Sequence, residues 1–481
     1  MEYFKELFSI HKRILEKNRI RVHNGRSECI MKTGGLDMSK RFLNKKLTSF
    51  QIIIFAFAAV ILIGALLLML PISSNEHIVT PFDDTLFTAV SAVCVTGLVV
   101  KDTATYWSYV GQAVILILIQ IGGLGVITVA SLITMVAGKK ISLMQRRTIQ
   151  NSLSAPQIGG GIKLIRFVFK TSFFIEFIGI VLLLPVFVRR FGAKGIWMAA
   201  FHSVSAFCNA GFDLMGDKSG LFSSLTMLGD DLYAMCVFSM LIIVGGIGFL
   251  TWSDIVTKKW RIRQYRLQSK VILATTFFLI VIPLAIFFFY DFSTLPLKER
   301  FCASLFQAVT PRTAGFNSVN FDTMSESGRA IIMILMMIGG SPGSTAGGMK
   351  TTTIAVLVLT SISAFKMRKD TSIFRRRIEE SVVKNAATIL SMYIFLSLAT
   401  ALIMNMTESF SMHQCLFETI SAIGTVGLTL GITPQLGMVS RILLMILMFV
   451  GRVGGLTVIY AAFSKQEVGD ARYPVETMMV G

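Results

Sequence analysis

Four times in 481 residues the chain sets the same short segment between two long apolar runs, and this repetition constrains the fold more than any other feature. The segments read FTAVSAVCVTGL from Phe87 to Leu98, FHSVSAFCNAGF from Phe201 to Phe212, FQAVTPRTAGF from Phe306 to Phe316, and FETISAIGTVGL from Phe417 to Leu428. Each opens on phenylalanine, carries Val or Ile and then Ser or Thr, and closes on a glycine followed by Leu or Phe. The glycines Gly97, Gly211, Gly315 and Gly427 stand 114, 104 and 112 residues apart. Phenylalanine and glycine are ten residues apart in three repeats and nine in the third. Self-similarity at such a period marks an internal structural repeat.

The flanking runs are of membrane-spanning length. They fall at about 50–70, 108–137, 164–188, 229–254, 269–290, 329–363, 384–404 and 438–463, and about 20 helical residues suffice to cross the hydrocarbon of a bilayer. Hydrophobic residues make up 53% of the chain and charged ones 15%, well below the quarter usual in soluble domains. The net charge of +19 does not point to nucleic acid, because the cations form short clusters between apolar runs. Residues 1–47 hold twelve Lys or Arg, residues 139–166 hold six with no acid, residues 258–270 hold six with no acid, and residues 366–384 include Arg375, Arg376 and Arg377. The alternate connections 71–86 and 405–418 hold no cation. The positive-inside rule therefore predicts a multi-pass protein of a cell membrane with both termini cytoplasmic.

These readings predict an all-α integral membrane protein. Its eight transmembrane helices form four span–pore loop–span repeats with pseudo-fourfold symmetry around one pore. The repeats cover 48–138, 139–257, 258–365 and 366–463, with a basic segment at 1–47 and a cytoplasmic tail at 464–481. No signal peptide precedes the first apolar run, and Met31 or Met38 is a candidate start, which leaves open whether residues 1–37 belong to the native protein. The six cysteines are scattered without metal-ligand spacing and read as free thiols.

Irregular backbone at membrane depth is tolerated only where protein buries it or it lines a watery cavity. Four such loops can converge on one axis, each entering as a short helix whose negative C-terminal end favours a cation and returning as extended backbone whose carbonyls replace a hydration shell. Glycine allows the angles that aim those carbonyls. Close helix packing would account for one such glycine, but not for four in register. The candidate ion filter is therefore Val95, Thr96 and Gly97; Asn209, Ala210 and Gly211; Thr313, Ala314 and Gly315; and Thr425, Val426 and Gly427. No side chain among them is acidic, which favours a weakly hydrated monovalent ion over calcium.

Two stretches lie beside this filter. The run Gly339, Gly340, Ser341, Pro342, Gly343, Ser344, Thr345, Ala346, Gly347, Gly348 cannot continue a helix, so 329–363 is predicted to be two half-helices around a mobile loop. Arg452 lies deep in the apolar run 438–463, where a lone cation costs roughly 2.5–3.5 kcal/mol and faces an interior cavity with a partner. Gly451-Arg452 falls where the other repeats have Gly122-Gly123, Gly245-Gly246 and Gly339-Gly340. Glu176 reads as a partnered structural carboxylate. His202 and Glu418 share one repeat position, next to the opening phenylalanine, where an acid suits a helix N-terminus.

Together with GGSPGSTAGGMK (Gly339 to Lys350) and GRVGGLT (Gly451 to Thr457), the four segments resemble the Trk/Ktr/HKT superfamily of K⁺ transporters over residues 48–481, and the bacterial Ktr membrane subunit most. The resemblance implies K⁺ uptake across the bacterial cytoplasmic membrane, passive or weakly coupled, with Na⁺ as an activator. It makes Gly339–Gly348 an intramembrane gate and Arg452 a positive barrier beneath the filter that bonds the gate's carbonyls. It also implies a homodimer with one pore per subunit, docked on a cytoplasmic nucleotide-binding ring of the RCK type. No nucleotide fingerprint occurs in this chain, so that ring would be a separate protein; no cofactor is expected here beyond the transported ion. A Na⁺-conducting or poorly selective relative is the competing reading; the resemblance associates serine at the first filter glycine with Na⁺, and Gly97 argues for K⁺. An intramembrane enzyme would need a constellation that Arg452, Glu176 and Lys350 do not form.

Overall fold

The computed structural model describes residues 48–136, 148, 161–368 and 370–463. The basic segment 1–47, the cations at 139–147 and the tail 464–481 lie outside the described residues. From Thr48 the chain runs as four successive groups of helices. The first holds α1 (Ser49–Met69), the short α2 (Phe82–Cys94), α3 (Tyr109–Leu124) and α4 (Val126–Val136); the second holds α5 (Gly161–Phe191), the short α6 (Lys194–Cys208), α7 (Leu232–Ile247) and α8 (Phe249–Lys258). The third holds α9 (Leu267–Ile286), the short α10 (Leu297–Val309), α11 (Glu326–Met337) and α12 (Thr351–Phe365). The fourth holds α13 (Glu380–Thr407), the short α14 (Met412–Gly424), α15 (Met438–Val453) and α16 (Gly455–Phe463).

Helix starts follow local chemistry. Side-chain oxygens of Thr48, Ser108, Asp231, Ser325 and Ser411 accept backbone N–H groups in the first turns of α1, α3, α7, α11 and α14, which satisfies donors that a helix leaves orphaned. Thr48 with Gln51, and Ser411 with Gln414, complete capping boxes.

Each short helix packs on the first helix of its own group, and three of them also pack on the third helix of the preceding group: α6 on α3, α10 on α7, α14 on α11. The first short helix, α2, packs on α15 of the last group, so the order closes on itself. At that seam Arg441 reaches Asp84 at 2.8 Å and Asp83 at 3.5 Å, with Lys101 at 3.5 Å from Asp84. Its Nε also donates to the Leu436 carbonyl. Asp84 is largely buried, so Arg441→Ala should lower stability by about 1–3 kcal/mol, read as a lower Tm in detergent. An unchanged Tm would make the bridge idle.

The helices α1, α5, α9 and α13 are long and apolar enough to cross a membrane. Three of the other apolar runs depart from the straight spans expected of them. The chain bends by 94° between α3 and α4, 97° between α7 and α8, and 95° between α15 and α16. Each bend is a single residue, Gly125, Gly248 or Gly454, at φ of +87°, +99° and +93°, a conformation that side chains rarely adopt. The fourth run breaks more widely, at 338–350 between α11 and α12. One small exception to the all-α expectation occurs in the basic loop, where Ser372 and Ile373 pair with Arg377 and Arg376. Phe374 and Arg375 turn that hairpin at positive φ.

Candidate ion pathway

Three of the four short helices end alike. Val95, Asn209 and Thr425 cap α2, α6 and α14 in the left-handed region, at φ of +57°, +59° and +50°. The next N–H groups return to the helix, from Thr96 to Ser91, Ala210 to Ser205 and Val426 to Ser421, all at 2.8 Å, as in a Schellman close. Valine and threonine are strained at such φ, so the surroundings hold them there. The third segment is one residue shorter, and it absorbs the deletion in the turn after α10. Ala314 N–H there reaches the Thr310 carbonyl at 3.0 Å, while Thr313 still takes φ +69°.

The hydroxyl shared by the four segments does a definite job. Ser91 and Ser421 accept the N–H of Gly97 and Gly427, each at 3.1 Å. Ser205 and Thr310 instead donate to the carbonyls of Phe212 and Phe316. All four phenylalanines that open the segments are fully buried.

The structure brings the four glycines together. A Cβ built on Gly97 would lie 2.5 Å from the Ala210 carbonyl oxygen, and one on Gly211 would lie 2.9 Å from that of Ala314. A Cβ on Gly315 would strike the Val426 carbonyl oxygen, and one on Gly427 the Thr96 carbonyl oxygen. Each glycine thus abuts the next segment, and the fourth abuts the first. Asn209, with its amide oriented to satisfy its neighbours, donates to the Ala206 and Ile242 carbonyls at 3.0 and 3.3 Å, away from this junction.

On one side of the glycines lies a cavity of about 280 Å³ that all four line, with Asp102, Asp213 and Asp322 in its wall. Burial pushes the Asp213 carboxyl up to about 7, and the neighbouring charge of Asp102 adds to the rise. A second cavity of about 280 Å³ is lined by Gly343, Ser344, Ala346, Gly348, Lys350 and Arg452.

The run Gly339–Gly348 lines the second cavity. It docks on the bend of the second group, where helix ends leave backbone groups unpaired. Phe249 N–H donates to the Gly343 carbonyl at 2.7 Å, Ser341 N–H to Gly246 at 3.0 Å, and Thr345 N–H to Gly245 at 3.3 Å. The Thr345 hydroxyl donates to the Phe207 carbonyl at 3.0 Å. Further along, Lys350 Nζ folds back onto the Ala346 and Gly347 carbonyls. Gly347 lies against the Thr425 side chain, and a Cβ on Gly348 would lie 2.6 Å from the Gly424 carbonyl.

Arg452 completes this junction. Its guanidinium donates to the carbonyl of Thr345 and to those of Gly122 and Gly123 at the C-terminal end of α3. In three of the four aligned pairs the first glycine serves packing: built side chains on Gly122, Gly245 and Gly451 would strike the Val93, Phe207 and Ile423 carbonyls of the adjoining short helices. Glu176 takes a neutral partner, accepting from Gln120 Nε2 at 2.8 Å.

Four apolar helices, three sharply bent pairs and four short helices meeting at a glycine junction are the architecture of a polytopic helical membrane protein. The family model described as a cation transport protein, TrkH, matches residues 29–470, and the chain belongs to that family. It is 39% identical to the potassium/sodium uptake protein NtpJ of Enterococcus hirae, over 93% of this chain and all of that one. It is 40% identical to the Ktr system potassium uptake protein B of Bacillus subtilis, over 90% of this chain and 96% of that one. The crystal structure of the potassium transporter TrkH from Vibrio parahaemolyticus shares the fold, with a TM-score of 0.69 at 17% identity over 86% of this chain and 85% of that one.

Proposed function

We propose that this chain takes up K⁺ across the bacterial cytoplasmic membrane through a filter formed by its four glycine segments. The observation that carries the reading is the closed junction in which each glycine abuts the next segment's carbonyl. Backbone oxygens of Val95 to Gly97, Asn209 to Gly211, Thr313 to Gly315 and Thr425 to Gly427 would replace the ion's water. Eight membrane crossings, three of them bent and one interrupted, would place the acidic cavity outside, where it concentrates cations. The basic cavity would then face the cytoplasm. Gly339–Gly348 would be the gate between filter and cytoplasm, and Arg452 the positive barrier that holds it.

The Ktr-system name of the Bacillus subtilis relative supports a partner subunit. We carry over a homodimer on a separate nucleotide-binding ring, with the basic loops as its docking face. Na⁺ enters as an activator or, in the second reading, as a transported ion, which the potassium/sodium name of the Enterococcus hirae relative favours. Rb⁺ uptake into proteoliposomes holding the purified chain tests both. Inhibition by external K⁺ at far lower concentration than by Na⁺ supports the K⁺ reading, and equal inhibition supports the second. No flux under any gradient would overturn the pathway.

A further inference from the structure

The residue after each opening phenylalanine sits behind the filter, on the side away from the ion. In the second repeat this is His202, fully buried. Its Nδ1 lies 2.7 Å from the Met198 carbonyl and its Nε2 accepts Leu214 N–H at 3.2 Å. A carbonyl only accepts and an N–H only donates, so the ring is the neutral Nδ1–H tautomer. In the fourth repeat the same position is Glu418, also fully buried. Its Oε1 accepts Leu430 N–H at 3.2 Å and the Thr429 hydroxyl, and its Oε2 accepts the Thr433 hydroxyl at 2.9 Å. Leu214 and Leu430 each stand three residues past a filter glycine, so two unlike side chains hold the same N–H. The third repeat uses Gln307, whose amide donates to Asn317 Oδ1 at 3.0 Å, two residues past its glycine. The first repeat has Thr88, whose hydroxyl turns back to the Asp84 carbonyl of its own helix at 2.8 Å.

Among the described residues the segments leaving the filter join no β-ladder, so the groups behind them help set where their carbonyls stand. We propose that Glu418 is a positioning residue for ion selectivity. By gripping Leu430, Thr429 and Thr433 from behind, it fixes the exit of the fourth filter strand and the width of the outermost ion position, and His202 does the same for the second. Carbonyls free to move inward would close on the smaller Na⁺ as readily as on K⁺. This inference rests on the K⁺-pathway reading above.

The test is Rb⁺ uptake by the full chain in proteoliposomes, competed separately by K⁺ and Na⁺. Glu418→Ala is expected to reduce the preference for K⁺ over Na⁺ by about tenfold, the scale of one buried N–H left without its acceptor. Glu418→Gln keeps an acceptor for Leu430 N–H and should retain most of that preference. Thr433→Val removes the single Oε2 partner and should move selectivity in the same direction as alanine, by less, which keeps the test usable if Glu418→Ala does not fold. A wild-type ratio in Glu418→Ala, or a Gln variant no better than Ala, would overturn the proposal and leave Glu418 as packing. Absence of uptake by the unmodified chain would instead overturn the pathway on which it rests.

Discussion

Gly427→Ala is expected to cut K⁺ uptake at least tenfold while the protein still reaches the membrane. The added methyl would strike the Thr96 carbonyl oxygen and lie 2.9 Å from the Gly97 Cα. It must therefore push apart the fourth and first segments. The backbone at φ +91° adds strain of about 1–3 kcal/mol for a residue with a side chain, and 1.4 kcal/mol is already a factor of ten. Gly431→Ala separates the two causes. Gly431 has φ +86° and nothing within 4 Å of a built Cβ, so it carries the same backbone strain without the collision. Rb⁺ uptake near normal in Gly431→Ala and lost in Gly427→Ala would locate the effect at the junction. Normal uptake in both would mean that ions do not pass between these segments.

Arg452→Gln is expected to raise cation flux while the protein remains folded. The guanidinium spans two elements at once, the Thr345 carbonyl of the run Gly339–Gly348 and the end of α3. Glutamine is shorter and neutral and cannot hold both. One charge-assisted bond is worth about 1.5–3 kcal/mol, so an open state of the run should gain about tenfold or more in population. Rb⁺ uptake in proteoliposomes, with elution in size-exclusion chromatography as the check on folding, reads the outcome. A purely structural ion pair would predict lost assembly instead; every bond of Arg452 among the described residues goes to a carbonyl, not a carboxylate. Aggregation without any gain in flux would return the residue to a packing role.

Much of this arrangement was legible in the sequence because backbone demands leave marks. Glycine at one register in four segments predicted a meeting of loops, and the Gly/Pro run predicted the break between α11 and α12. The bends at Gly125, Gly248 and Gly454 were not anticipated, since an apolar run carries no information about direction. A signal was present all the same: Gly122 to Gly125, Gly245 to Gly248 and Gly451 to Gly454 each read Gly, Gly or Arg, any residue, Gly. The shared Ser or Thr was visible as a pattern but not as the bond it makes to the backbone of its own segment. The Arg441–Asp84 bridge joins residues 357 apart, and no local pattern announces such a pair. The position after the phenylalanine suggested a helix-end charge, whereas His202 and Glu418 reach the strand beyond the glycine.

The interrupted helix belongs to one repeat of the four. In an assembly of four identical subunits, each subunit carries its own gate, and opening must be coordinated among them. Here the run Gly339–Gly348 has no counterpart in the other three groups, which bend at a single residue. If this run is the gate proposed above, conduction would switch by one unimolecular event per pore, with no partly opened intermediates arising from symmetry. On that proposal the other three groups would serve as fixed walls, and their sequences would be free to diverge toward other duties.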